Sequence, residues 1–148
     1  MATYLSNELA GTIDGKTLTP VLGTRPRGSV VNGRIKRFRA TVTLNGQLSG
    51  DLIYLFNLPL GASVVLGNIV NSVSLGTTTV GVGTLANPVK YRGQSAGLTA
   101  VNTPSFFAAA AASADENAAE EPVYATLGTA ALPVSGTMVI DVLVSLPT

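Results

Sequence analysis

The side chains that carry most enzyme chemistry are absent from this 148-residue sequence, which contains no cysteine, histidine or tryptophan. Their absence excludes thiol nucleophiles, Ser-His-Asp triads, imidazole acid–base catalysis and the common transition-metal sites. Much of enzyme chemistry is thereby excluded, although carboxylate chemistry stays open at this point. Taken over the whole sequence, we predict that the chain is not an enzyme and that it uses no metal and no cofactor.

Carboxylates are the remaining candidates for acid–base chemistry: Asp51, Asp141 and the acidic residues of 115–121. Glycoside hydrolysis needs two carboxylates in a cleft, with aromatic side chains that stack on sugars. The chain has only four tyrosines and four phenylalanines. Asp141 falls on the polar side of a predicted strand, and Asp51 falls beside a predicted turn. The pattern favours solvated or structurally paired carboxylates, and the Asp-x-Asp-x-Asp-Gly spacing of a calcium loop does not occur.

The stretch 81–86, GVGTLA, loosely matches a dinucleotide-binding fingerprint. In a functional site a helix follows the glycines, and its N-terminus receives the pyrophosphate. Here Asn87-Pro88 follows at once, and proline disfavours helical backbone in the residue before it. We predict that 81–86 forms a turn or the end of a strand and not a nucleotide site.

Basic residues are concentrated near the N-terminus. Residues 1–40 hold seven Lys or Arg against two acidic residues, a balance of +5, and the rest of the chain has a balance of −4. Arg37 and Arg39 share one face of a predicted strand while Phe38 points the other way, so stacking on nucleic-acid bases is not supported. We expect contacts with an acidic protein surface, including that of another copy, and no nucleic-acid binding. The expected partner-binding residues are Arg25, Arg27, Arg34, Lys36, Arg37 and Arg39.

Two segments alternate apolar and polar residues, which is typical of half-buried strands. In 34–44 the inward residues are Phe38, Ala40, Val42 and Leu44. In 137–146 the inward residues are Met138, Ile140, Val142, Val144 and Leu146, and the outward ones include Thr137, Asp141 and Ser145. Asn45-Gly46 suits the positive φ angles of a type I′ turn, so we predict that 34–44 and 51–56 pair as a hairpin.

Further short apolar or β-branched runs, separated by Gly, Pro and Asn, bring the predicted total to about eight strands. These runs are 62–66, 69–75, 77–82, 89–91, 105–107 and 123–127. Their spacing is typical of an antiparallel β-sandwich or barrel. The alanine-rich stretch 108–119, which acidic residues follow, fits either a brief helix or an acidic surface loop.

Residues 1–33 show no sustained periodicity, because glycine and proline interrupt them repeatedly. We expect either an extended arm, which fully stretched reaches about 110 Å and can cross a neighbouring subunit, or a disordered terminus. The predicted organisation is an N-terminal arm over 1–33 and a β-sandwich domain over 34–148.

The composition is 46% apolar and only 11% charged, against about 25% charged in typical soluble domains. The mean hydropathy is +0.40, yet no apolar run is long enough to span a bilayer. Coverage by other subunits reconciles the two observations, so we expect an oligomer and no membrane contact. The N-terminus lacks the features of a secretory signal, so we expect synthesis and assembly in a cytoplasm.

Over roughly residues 34–146 the sequence resembles small structural proteins of tailed bacteriophages, and in particular head decoration (cement) proteins. The segments that carry the resemblance are strand and turn patterns at 34–44, 57–62, 72–76, 90–92 and 131–141.

The resemblance implies a β-sandwich or jelly-roll domain, commonly trimeric, that binds the major capsid protein at subunit junctions on the capsid surface and reinforces the shell. Two alternatives remain at this point. One is another virion role on the same fold, as the base of a head fibre or a tail accessory protein. The other is a carbohydrate-binding or enzymatic β-sandwich, which the scarcity of aromatic residues disfavours.

Overall fold

A computed structural model describes residues 34–95, 98–107 and 116–147. In this part of the chain the regular structure consists of eight β-strands. They are β1 (Arg34–Thr43), β2 (Leu52–Leu58), β3 (Ser63–Asn71), β4 (Thr79–Gly83), β5 (Arg92–Ser95), β6 (Ser105–Phe106), β7 (Glu121–Gly128) and β8 (Thr137–Leu146). The prediction of an all-β chain with about eight strands is confirmed.

The strands form two four-stranded antiparallel sheets, with the orders β1-β8-β3-β6 and β2-β7-β4-β5. The pairs β1–β8, β2–β7, β3–β6 and β4–β5 are nested, as if one long hairpin had been rolled up into two facing sheets. This arrangement is the jelly roll, an eight-stranded double-sheet architecture. The predicted sandwich is therefore confirmed, together with the jelly-roll topology that the resemblance implied.

The core lies between the sheets and is built from alternate residues of both. In β8, Met138, Ile140 and Val144 are fully buried, as their two-residue period predicts. In β1 the exposure of the side chains alternates from Phe38 to Thr43 in the predicted sense. The Phe38 ring lies 5.5 Å from that of Phe56, between centroids, and so links β1 to β2 of the opposite sheet.

The predicted hairpin between 34–44 and 51–56 is wrong, because β1 and β2 lie in different sheets. β1 pairs with β8, in a register that sets Arg34 opposite Leu146. Asn45 lacks the positive φ that a type I′ turn requires at both central positions. The intervening loop instead crosses between the sheets, where Gly46 N–H donates to the carbonyl of Pro133.

Two other boundaries differ from the sequence expectation. The runs 62–66 and 69–75 belong largely to one strand, β3, which continues through Gly67. A Cβ at Gly67 would lie 2.2 Å from the ring of Phe107, so the glycine allows this ring to pack directly on the strand. Residues 89–91 form a turn, and strand β5 begins only at Arg92. Ser145, on the outward side of β8, is buried and not exposed.

Two expectations fall on residues that the structure does not describe. The N-terminal arm over 1–33, with Arg25 and Arg27, lies outside the described residues. So does most of the alanine-rich stretch, 108–115. The residues that follow it, 116–120, are irregular, and β7 begins at Glu121.

Candidate binding surface

Arg37 and Arg39 project from the outer face of the β1-β8-β3-β6 sheet and hold the same carboxylate, that of Asp141. Arg37 donates from Nε to Oδ1 at 3.0 Å and from Nη2 to Oδ2 at 2.8 Å. Arg39 donates from the corresponding atoms at 2.9 and 2.8 Å. The β1–β8 register causes this convergence, since it sets Arg39 directly opposite Asp141 and Arg37 opposite Leu143. Asp141 is thus a structurally paired carboxylate.

The ion-pair cluster Arg37–Asp141–Arg39 has two positive charges and one negative charge. Hydrogen bonds from Arg39 and Arg37 hold the pKa of Asp141 well below its usual value of 3.8, so its carboxylate is ionised at neutral pH. The arginine side chains are 54% and 53% exposed, whereas that of Asp141 is only 14% exposed. A guanidinium has five N–H donors, so on each arginine three have no acceptor among the described residues. The cluster therefore retains positive charge and donors that face solvent.

Four of the six predicted partner-binding residues lie in the described part of the chain, and these four do not form one group. The structure brings together Arg37 and Arg39. Arg34 and Lys36 are exposed near the start of β1 and, by strand alternation, lie on the side that Phe38 shares. Arg25 and Arg27 precede the described residues.

A shallow depression of about 310 Å³ adjoins the ion-pair cluster and is lined by Arg37, Leu66, Asn68, Asp141 and Leu143. Three of these residues, Leu66, Asn68 and Leu143, come from β3 and β8 and were not predicted from the sequence. A register shift in β3 between Val64 and Leu66 marks a bulge, and Leu66 beside it is 41% exposed. Bulges redirect side chains in this way.

Phe106 extends the same face at the sheet edge. It pairs with Asn68, which in turn pairs with Asp141, so Arg39, Asp141, Asn68 and Phe106 form one row across all four strands. Phe106 is 60% exposed, although its neighbour Phe107 is buried in the core. We call the β1-β8-β3-β6 sheet sheet 1, and the ion-pair cluster, the depression and Phe106 together the sheet-1 face.

A second polar group lies at the loop before β5. Glu121 accepts hydrogen bonds from Lys90 Nζ at 2.6 and 2.8 Å and from the Tyr91 hydroxyl at 2.6 Å. Tyr91 is buried. The pKa of its hydroxyl is raised, chiefly by this burial and next by the hydrogen bond to Glu121. Lys90 and Tyr91 also donate to Asn117 at 3.3 Å. These bonds attach the loop to the start of β7, which is a structural role.

The glycine-rich stretch 81–86 is the end of β4 and a turn, as predicted. A Cβ at Gly83 would lie 2.2 Å from the carbonyl oxygen of Asn87, because the chain turns back on itself there. Asp51 accepts a hydrogen bond from Leu48 N–H at 2.8 Å across its own turn. Both candidates for chemistry thus have structural explanations. No helix in the described ranges is long and apolar enough to cross a membrane.

Comparison with known proteins gives structural neighbours only, since no protein-family model and no curated protein matches the chain. A chain of the cyanophage Pam1 capsid asymmetric unit superposes with a TM-score of 0.66 at 19% identity, over 86% of this chain and 94% of that one. A chain from the capsid of Ralstonia phage GP4 gives 0.61 at 19% identity, over 90% and 94%.

A third neighbour is a chain from the acid-stable capsid of the Helicobacter pylori bacteriophage KHP30, with a TM-score of 0.55 at 20% identity, over 80% of this chain and 92% of that one. All three matches span nearly the whole of the neighbouring chain. The protein therefore shares its fold with chains found in three phage capsids.

Proposed function

We propose that the protein is a structural component of a bacteriophage virion, a decoration (cement) protein that binds the shell of the major capsid protein at subunit junctions. The observation that carries the proposal is the jelly roll shared with chains of three phage capsid structures, at TM-scores of 0.55 to 0.66. Such a protein needs no catalytic site. Because it binds the assembled shell and not separated subunits, it shifts the equilibrium toward the shell by mass action.

The surface of the domain supports a role in assembly. Large apolar side chains are exposed on both outer faces, among them Tyr54 and Leu52 on one sheet and Ile35 and Phe106 on the other, each at least 49% exposed. Apolar and aromatic side chains of this kind are typical of the centres of protein interfaces. Partner subunits that cover them would also account for the low charge content of the chain.

The proposal includes a homotrimer on the outer surface of the capsid, assembled in the bacterial cytoplasm, with residues 1–33 as an arm that reaches a neighbouring subunit. It includes no enzyme activity, no nucleic-acid binding and no membrane contact. Of the exposed basic residues of β1, Arg37 and Arg39 are its proposed contacts with acidic protein surface.

The test uses shells of the parent phage prepared without this protein. We expect the purified chain to bind them saturably, at a fixed number of copies per capsomer, and to raise the temperature at which the shells disrupt. A chain that leaves shell stability unchanged at saturating concentration would refute the cement role. Heating shells with bovine serum albumin controls for non-specific protection.

A further inference from the structure

The sheet-1 face combines a fixed pair of arginines with an apolar depression. Each arginine is held by two hydrogen bonds to Asp141, so its guanidinium is oriented before any partner arrives. Orienting a long side chain in advance removes much of the entropy that binding would otherwise cost. The guanidinium donors that have no acceptor among the described residues lie beside one carboxylate, which neutralises only one of the two positive charges.

We propose that the sheet-1 face binds an extended segment of a partner protein in which a carboxylate side chain lies beside an apolar one. The carboxylate binds the solvent-facing donors of Arg37 and Arg39, and the apolar side chain fills the depression against Leu66 and Leu143. Phe106 covers the segment at the sheet edge. The inference rests on the proposed function, because it takes the shell protein as the partner.

Charge and surface chemistry favour a carboxylate on a protein over the phosphates of a nucleic acid. A nucleic-acid interface needs an extended basic track that contacts several phosphates. Here the ion-pair cluster has a net charge of only +1, and Arg34 and Lys36 lie on the opposite side of β1. Leu66 and Leu143, next to the arginines, suit the apolar side chain of an amphipathic peptide segment. Their side chains have no hydrogen-bond donor for phosphate oxygens.

Asp141 is a positioning residue in this scheme. If the face attracted partners by net charge alone, Asp141→Asn would raise the local charge by one unit and tighten binding. If prior orientation of the arginines matters, the same substitution releases both guanidinium groups and weakens binding. The two explanations therefore predict opposite signs for one isosteric change.

The experiment measures the dissociation constant of the full chain on parent-phage shells that lack this protein. Arg37→Gln with Arg39→Gln is expected to weaken binding about tenfold or more, as loss of a charge-assisted bidentate contact implies. The matched control, Arg34→Gln with Lys36→Gln, removes the same charge from the other side of the strand and is expected to cost less than about threefold. Equal losses in the two variants would overturn the inference and leave the proposed function intact.

Asp141→Asn is expected to weaken binding, and tighter binding would contradict the positioning role. Should the Asn variant fold poorly by thermal unfolding, the apolar half of the site supplies an independent test. Leu66→Ala, next to the arginines, is expected to weaken binding at least about threefold, whereas Leu85→Ala, an exposed leucine of the β4–β5 loop, leaves it unchanged. Identical behaviour of the two leucine variants would refute the depression as a contact.

A fluorescein-labelled DNA duplex identifies the competing partner class. Micromolar DNA binding by the wild type that Arg37→Gln with Arg39→Gln abolishes would overturn the choice of a protein partner, and its absence supports that choice. A wild-type chain that does not bind the shells would overturn both the inference and the proposed function.

Discussion

Gly67→Ala is expected to destabilise the domain through a contact between β3 and Phe107, the residue that follows β6. An added Cβ would lie 2.2 to 2.7 Å from three ring atoms of Phe107. The ring cannot retreat freely, because Phe107 N–H donates to the Gly67 carbonyl at 2.8 Å and the side chain is only 9% exposed. Overpacking costs about 1–3 kcal/mol, and expelling a buried phenylalanine costs about 1.5–3 kcal/mol. We therefore expect a loss of about 2–3 kcal/mol.

For a domain of this size, a loss of about 2–3 kcal/mol lowers Tm by about 4–12 °C. Differential scanning calorimetry would measure the shift, with Gly93→Ala as the matched control. Gly93 also lies in a strand and has a negative or extended φ, but beyond its chain neighbours no atom of the described residues lies within 4 Å of its added Cβ. The Tm of Gly93→Ala is therefore expected to change by less than about 2 °C. Combining Gly67→Ala with Phe107→Ala should remove the clash. The double variant is therefore expected to lose less free energy of unfolding than the sum of the two single losses. Unchanged Tm in Gly67→Ala, or strictly additive losses, would refute the packing argument.

Three further predictions concern the ion-pair cluster, the loop before β5 and the N-terminal segment. The fold holds the pKa of Asp141 below its usual value of 3.8, so the stability that the ionised carboxylate contributes is present above pH 3.8 and is lost as the pH falls below 3.8. The Tm of Asp141→Asn should therefore fall less than that of the wild type between about pH 5 and pH 2. Parallel plots of Tm against pH for the two proteins would contradict this. Glu121→Gln should lower the free energy of unfolding by about 1–2 kcal/mol in urea titrations, since it removes the charge that Lys90 and Tyr91 donate to; an unchanged urea midpoint would argue against that role. Deleting 1–33 should leave the calorimetric Tm of the sandwich within about 2 °C but weaken shell binding, and undiminished binding would show that the segment is no anchor.

Alternation along the chain was enough to predict the faces of β1 and β8. Apolar residues such as Phe38, Val42 and Ile140 occupy every second position of these strands, and hydrophobic burial decides which side of a strand faces the core. The same signal says nothing about which strands pair. In the structure β1 pairs with β8, about a hundred residues away, although a sequence suited to a hairpin turn follows β1 directly. Burial of the two sheets against each other outweighs the local preference of Asn45-Gly46 for a hairpin turn.

The candidate site shows the same division between local and long-range information. The sequence placed Arg37 and Arg39 on one face, and the structure agrees. The sequence could not show that both arginines would form hydrogen bonds with Asp141, because these contacts depend on the register of strands about a hundred residues apart. Gly67 was interpreted as a break between strands, whereas it gives space to the ring of Phe107. Leu66 depends on a bulge, and Phe106 depends on a two-residue strand that has little signal of its own.

If the protein reinforces a phage shell from its outer surface, as we propose, its position in the particle must show this. Electron cryomicroscopy of intact parent particles would locate it, with the two-sheet domain of residues 34–147 as the shape to be fitted. We expect density for the domain at every capsomer junction, outside the major capsid protein, with the sheet-1 face against the major capsid protein. Density confined to a vertex, a fibre base or the tail would rule out the cement role, as would particles without the protein.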